Sequence, residues 1–361
     1  MRKSNQESFK SLYRIKFKPI LLKLDKERRA ILYKVRGLCI ISIILVALPF
    51  ALIIELESLG DIGWGLLVLL IYILSHGFYK LLYHIRIKPL EHHYQASFKK
   101  EIITPLVYLI DKSFIYKAKA RMFLDELDDS EIFGGHTGLR GACIESDDYV
   151  SGKIGNTAFE FSDIKLTIES GDSATTVFQG LFFSIDFNKS FNGRTFVLTD
   201  YAERAFGLIG QELQSIISVR GELIRLESEE FEAQFVVYSD DQTEARYILS
   251  PSFMEKILEL KNTTNNLIEM SFVKNKLYIA ISKCKVSFEP KLRESIVDFN
   301  DIQAYYDDLT LVLDLVEILH LNRRVWGKSK PNNTWLCKNC NEVHEPIFDS
   351  CWKCQNPRTN S

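Results

Sequence analysis

The chain lacks the residue constellations that most often carry catalysis. Seven histidines are scattered over 361 positions, and none sits in a His-Glu-x-x-His pattern. There is no Gly-x-Ser-x-Gly elbow, and no glycine-rich loop closes on Gly-Lys-Ser/Thr, so the standard signatures of zinc hydrolases, α/β-hydrolases and P-loop nucleotide hydrolases are absent. An excess of one charge is missing too. Lys and Arg number 45, Asp and Glu 47, which argues against a chain that binds nucleic acid over its whole surface. Nine prolines and eighteen glycines are too few for a low-complexity or collagen-like polymer. Charge is wholly absent from two stretches, Leu38–Ile54 (LCIISIILVALPFALII) and Ile62–Tyr79 (IGWGLLVLLIYILSHGFY).

What is present is unevenly placed. Residues 1–36 carry twelve Lys or Arg against Glu7, Asp25 and Glu27, leaving thirty-three basic against forty-four acidic residues in the remainder. Each uncharged run approaches the roughly 20 residues needed to cross a bilayer, and Lys80 can extend the second by snorkelling. The segment between them, Glu55-Leu-Glu-Ser-Leu-Gly-Asp61, is acidic and short, while cations precede the first run and return at Lys80, Arg86, Lys88, Lys99 and Lys100. The positive-inside rule then predicts a multi-pass protein of the cell membrane, with a two-helix hairpin and both termini cytoplasmic. Pro49 is expected to kink the first span and His76 to lie near the inner end of the second. Phe9–Val35 mixes apolar and basic residues. It reads as a charge cluster that fixes topology, or as an amphipathic helix on the inner leaflet broken near Pro19.

Four of the seven cysteines fall in the last 25 residues, as Cys337-x2-Cys340-x10-Cys351-x2-Cys354. Two such knuckles bring four thiolates to one tetrahedral Zn²⁺ and leave it no open position, so the expected ion is structural. Two disulfides and a redox pair are the alternatives, and a cytoplasmic tail, kept reduced, disfavours the disulfides. His344 and Asp349 are spare donors, and Trp335 and Trp352 are expected to shield the site. Cys39, Cys143 and Cys284 lack partner spacing and read as buried thiols. The tail resembles the small zinc ribbons of many bacterial proteins, and its Trp-x-Cys-x2-Cys-x10-Cys-x2-Cys spacing is similar to the Ran-binding-protein type of zinc finger. That family places an asparagine where His344 stands here.

Between anchor and tail, Pro89 to about Phe133 has helical periodicity, with an interruption expected at Pro105 and the adjacent His92 and His93 pointing apart. From Ala142 onward the pattern turns to strands: DYVSGKIGNTAFEFSDIKLTIES, TTVFQGLFFSIDF, RTFVLTD, GELIRLESEEFEAQFVVYSDD, and NLIEMSFVKNKLYIAIS around a Lys274-Asn275 turn. Gln242–Leu260 reads as helices around Pro251, and Ser295 to about Leu321 as a long amphipathic helix. The expected fold is a membrane-anchored α+β protein: a transmembrane hairpin, a mainly antiparallel cytosolic sheet framed by helices, and a small C-terminal zinc ribbon. The boundaries are a basic cytoplasmic segment at 1–36, the hairpin at 37–83 with spans near 38–54 and 62–82, the α+β domain at 89–325, a linker at 326–334 and the ribbon at 335–357. The stretches DYVSGKIGNTAFEFSDIKL, VFQGLFFSIDFNKSFNGRTFVL and FVVYSDDQTEARYILSPSFMEKI, with Ser287-Phe-Glu-Pro290, resemble a bacterial family with two N-terminal spans and a cytosolic domain, catalogued only as a domain of unknown function. The resemblance implies the layout and no activity.

Candidate sites in the body are few. Gly134–Gly141 is rich in glycine but follows no strand, and reads as a turn. Asp240-Asp241-Gln-Thr-Glu244-Ala-Arg246 could hold a cation or act as acid and base, but a capped helix start accounts for it more simply. Asp147-Asp148 and Asp125–Asp129 read as solvated turns and faces. No catalytic residue is assigned, and the absence of a catalytic motif leans against an enzyme while leaving the question open. The function expected is an interaction or scaffolding protein of the membrane with a protein partner, and structural Zn²⁺ as its cofactor. Two alternatives are nucleic-acid binding by the basic, aromatic tail (Lys328, Lys330, Lys338, Lys353 and Arg358 with Trp326, Trp335 and Trp352) and an enzyme whose residues meet only in the fold.

Overall fold

The computed structural model describes residues 7, 9–54, 61–122, 124–134, 141–170, 173–187, 190–199, 220–283, 288–319, 335–339 and 343–344. The chain is α+β, with a long apolar helix near the N-terminus and an antiparallel sheet. It divides into two compact units. The first holds residues 1–121, 146–150 and 284–312, and the second holds 122–145, 151–283 and 313–361.

The first unit is built on two long helical stretches. A π turn, π1 (Tyr13–Phe17), runs into α1 (Lys18–Ile54). Later, α2 (Asp61–Leu82), π2 (Tyr83–Ile87), α3 (Lys88–Phe98), π3 (Lys99–Ile103) and α4 (Thr104–Ile110) follow without a break. Each π turn lies directly before a Lys-Pro or Thr-Pro pair. Proline inside a regular helix has no N–H to give and its ring strikes the carbonyl four residues back. Here the N–H before each proline reaches five residues back instead: Lys18 to Tyr13, Lys88 to Tyr83, Thr104 to Lys99. The widened turn makes room for the ring. Pro19 and Pro105 therefore do not break the helix as the sequence predicts, and Pro49 falls inside α1 without ending it.

The basic N-terminal stretch has an apolar stripe at Phe9, Tyr13, Phe17, Leu21, Leu24 and Ile31, all buried. Phe9 stacks on Tyr306 at 4.5 Å, Tyr13 meets Phe299 edge-on at 5.3 Å, and Arg28 donates to the Leu292 carbonyl at 3.0 Å. This face is packed within the unit, so it is not available to a leaflet. Further along the same helix the pattern inverts. Ile40, Ile41, Ile43, Ile44 and Leu45 are exposed, as are Leu69, Leu70, Tyr72, Ile73 and Leu74 on α2. The Cys39 thiol lies 3.8 Å from the Tyr79 hydroxyl, between α1 and α2.

The remaining elements are β1 (Ile115–Lys117), α5 (Leu124–Asp129), β2 (Ala142–Ile154), β3 (Thr157–Ser170), β4 (Ser173–Asp186), β5 (Thr195–Thr199), β6 (Glu222–Ile224), α6 (Glu229–Glu232), β7 (Phe235–Ser239), α7 (Gln242–Ile248), α8 (Pro251–Thr264), β8 (Ile268–Val273), β9 (Lys276–Ser282), α9 (Phe299–Ile318), β10 (Trp335–Leu336) and β11 (Val343–His344). The strand order is β1-β2-β3-β4-β9-β8-β5-β7-β6, and β10 pairs with β11 apart from it. In the second unit β8 and β5 are buried along their whole length, so they read as continuous apolar runs without alternation. An aromatic cluster of Phe187, Phe191, Phe253 and Phe272 fills the core beside them, at centroid distances of 5.0–6.3 Å. At Gly180 (φ +155°) a side chain would come within 2.0 Å of the Ile281 carbonyl oxygen, so β4 can approach β9 there only with glycine.

Candidate functional site: a buried lysine among three carboxylates

Lys99 opens π3, and the Thr104 amide and hydroxyl both bond its carbonyl, which anchors the backbone of the turn. Its side chain is only 7% exposed. The ammonium reaches Asp147 Oδ2 at 2.8 Å, Asp148 Oδ2 at 2.7 Å and Glu289 Oε1 at 2.8 Å. An ammonium has three protons, so all three are engaged. Asp148 is fully buried, and its second oxygen accepts from the Tyr116 hydroxyl at 2.5 Å. Its backbone is left-handed (φ +55°), a conformation Asp tolerates at some cost, and its amide donates to the Ala118 carbonyl. Tyr305 donates to the Glu289 carbonyl and meets Phe98 edge-on.

The charges do not cancel: three carboxylates face one cation. Burial pushes the Asp148 carboxyl up to about 7, with Asp147 adding to the rise and Lys99 and Tyr116 opposing it. For Lys99 burial pulls the other way, but the charge of Asp148 and the hydrogen bonds from all three carboxylates outweigh it and hold the lysine protonated. The three carboxylates lie within 4.8 Å of one another, close enough to hold a metal ion. Lys99 occupies that position with its own charge. A protonated lysine with every proton committed is neither a base nor a nucleophile. The arrangement is an ion lock, and it corrects the reading of Asp147-Asp148 as a solvated turn. The two residues sit in β2, and their partners lie far along the chain.

The cluster around Asp240 belongs to the second unit and is structural. Asp241 caps α7 by accepting from the Thr243 and Glu244 amides, as the sequence predicts. Asp240 pairs with Arg194 at 2.7 Å, Arg194 also meets Glu131, and Glu244 accepts from the Asn192 and Gly193 amides. The hydrogen bond and charge of Arg194 hold the Asp240 carboxyl below the ordinary carboxylate range. Arg246 bonds Gln242 and the Arg225 carbonyl, so it does not join Asp240. Asp129 pairs with Lys274, and Glu126 with Lys276 and Ser184. Glu269 on β8 is buried, and burial raises its carboxyl to about 7 against the pull of Arg220. A shallow groove on α8 is lined by Glu230, Glu255 and Glu259 but offers no converging donors.

Of the four cysteines assigned to zinc, Cys337 is buried and follows β10 directly. Cys340, Cys351 and Cys354 lie outside the described residues, as do Trp352, Asp349, the linker, Cys284 and most of the Gly134–Gly141 turn. Cys143 is exposed, which corrects its reading as a buried thiol, and Cys39 is half-buried. His76, His92 and His93 are exposed. The Lys99 cluster has no local sequence signal. Its four charged members come from three separate segments, and only the doublet Asp147-Asp148 could have drawn notice.

Residues 176–321 match the family described as Protein of unknown function (DUF3137), a match to less than half of the chain. No curated protein matches. Among solved structures, the crystal structure of the mycobacterial trehalose monomycolate transport factor A, TtfA, is similar at 10% identity and a TM-score of 0.30, covering 58% of this chain and 92% of that one.

Proposed function

We propose that this protein is a two-span integral membrane protein that holds an α+β domain and a structural zinc ribbon at the cytoplasmic face for interaction with a protein partner. The observation that carries the reading is the inversion along α1. Its first half buries an apolar stripe, while Ile40, Ile41, Ile43 and Ile44 in its second half point outward. Large apolar side chains in that density are unfavourable in water and favourable in lipid. The α2 side chains Leu69, Leu70, Ile73 and Leu74 have the same exposure, and the Cys39–Tyr79 contact is what a hairpin of two spans requires. By the positive-inside rule, the cation distribution supports cytoplasmic termini.

The tail fits zinc by its donor set and by its local fold. The β10–β11 ladder pairs Trp335 with His344 and Leu336 with Val343. Cys337 and Cys340 both fall in the connection between these strands, where a knuckle is formed in zinc ribbons. No enzyme is proposed: the three carboxylates that converge at Lys99 are locked by that lysine, and the cluster around Asp240 caps and ties elements together. Two linked modules on a membrane surface raise the effective concentration at which a partner is met. The test is capture of partners from native membranes by the full chain and by a Cys337→Ser/Cys340→Ser variant inserted to the same level. A partner lost with the ribbon supports the reading, and failure of either form to retain any protein counts against it.

A further inference from the structure

On the two-span reading, one surface acquires a specific chemistry. We propose that Lys34 and Arg36 on α1, Lys80, Arg86 and Lys88 along α2 to α3, and Arg293 from the folded part of the same unit form a belt that binds anionic phospholipid headgroups at the inner leaflet.

All six cations are exposed. None has an ion-pair partner among the described residues. Three carboxylates nearby are already engaged: Asp25 is held by Arg28 and Arg29 at 2.7 and 2.8 Å, Glu91 accepts from the Tyr83 hydroxyl at 2.7 Å, and Glu294 pairs with Lys291 at 3.0 Å. The Cys39–Tyr79 contact fixes the level of one helix against the other. Counting away from it along both helices, Arg36 comes level with Leu82 and Lys34 with His84, while Lys80, Arg86 and Lys88 lie one, seven and nine residues from the contact, so the two sets of cations fall within a band of about 12 Å along the helix axis. On α1 the band begins where the outward-facing Ile40, Ile41, Ile43 and Ile44 end, and on the second helical stretch the exposed Leu81 and Ile85 lie within it. Tyr33, 70% exposed, stands among the cations as a ring suited to the interface. Arg293 is the informative member. It lies more than 200 residues from the spans in sequence, yet the carbonyl of its neighbour Leu292 accepts from Arg28 on α1 at 3.0 Å, and its charge acts on the Tyr83 hydroxyl. A topogenic signal needs only cations flanking the spans. A cation brought beside α1 and π2 from a distant loop is what a headgroup site would add.

Anionic lipid is favoured over other polyanions by continuity, because the belt is the rim of the lipid-facing helices. Each Lys or Arg near an anionic leaflet contributes about fivefold in binding.

The full chain, purified in detergent and reconstituted with equimolar phosphatidylglycerol and phosphatidylcholine, would be analysed by native mass spectrometry for the lipids it retains. Wild type is expected to retain phosphatidylglycerol about a hundredfold over phosphatidylcholine, the product of about fivefold from each of the three residues tested. Arg293→Gln alone should cut that preference about fivefold without changing insertion, and adding Arg36→Gln and Arg86→Gln should abolish it. Equal retention of the two lipids by an inserted wild type, or an unchanged preference in the triple variant, overturns the belt and leaves the two-span reading standing. Failure to insert at all overturns the two-span reading itself.

Discussion

At the scale of single residues, the Lys99 cluster shows how burial turns ordinary side chains into a structural commitment. Removing the lysine leaves the fully buried Asp148 facing the partly exposed Asp147 and Glu289 with no cation between them. Lys99→Met should cost about 3–5 kcal/mol, read from denaturant unfolding of the detergent-solubilised chain. The deficit should be smaller at pH 5 than at pH 8, because the carboxylates can then take up protons. Glu269 makes a separate prediction with a defined sign. Its folded-state value, near 7, lies above the unfolded one. The stability associated with it is therefore complete below about pH 4 and is lost as pH rises through 7. Glu269→Gln should flatten the fall in melting temperature between those limits and raise stability at pH 8. Neither residue was legible in the sequence. Lys99 reads there as one more cation after a span, and Glu269 as the polar member of a strand, because what defines both is who their neighbours are. Asp241 was legible, since a helix cap is decided within three residues.

At the scale of elements, the apolar runs and most strands followed from pattern alone. The β8–β9 hairpin turns at Lys274, in the left-handed region as its tight turn requires, and the helices around Pro251 fall where the sequence puts them. What pattern could not supply was β1, a three-residue strand, and the continuity of the helices through Pro19, Pro89 and Pro105. A proline reads as a break unless the turn before it can widen. Two element-level tests follow. Gly180→Ala forces a methyl group against the Ile281 carbonyl and a left-handed backbone on alanine. It should cost about 3 kcal/mol or more, seen as a lowered melting temperature with no change in membrane association. Ile43→Arg places a charge in the outward face of α1, at a cost of about 3 kcal/mol to insertion, and should move part of the protein out of the alkaline-washed membrane fraction.

At the scale of the whole molecule, the class of fold was legible because the helical and strand-like stretches follow one another in separate blocks, marked off by turn residues. The division into two units was not, because it joins residues 1–121 to 284–312 across the sheet-forming sequence. The orientation is tested by protease added to intact spheroplasts. The C-terminal tail should survive outside attack and be cut only after lysis, and release of the tail from intact cells would reverse the topology. The tail should also carry about one zinc per chain by elemental analysis, falling to background in Cys337→Ser/Cys340→Ser. The π turns carry a last consequence. Each accommodates one residue more than a regular helix of the same span, so the faces before and after it keep their heading although the count between them has shifted. They can be read as single-residue insertions that the helix has absorbed. Deleting one residue from Tyr83–Ile87 while replacing Pro89 with alanine should give an unbroken α-helix with the same side chains facing inward. The same deletion with Pro89 retained should not be tolerated.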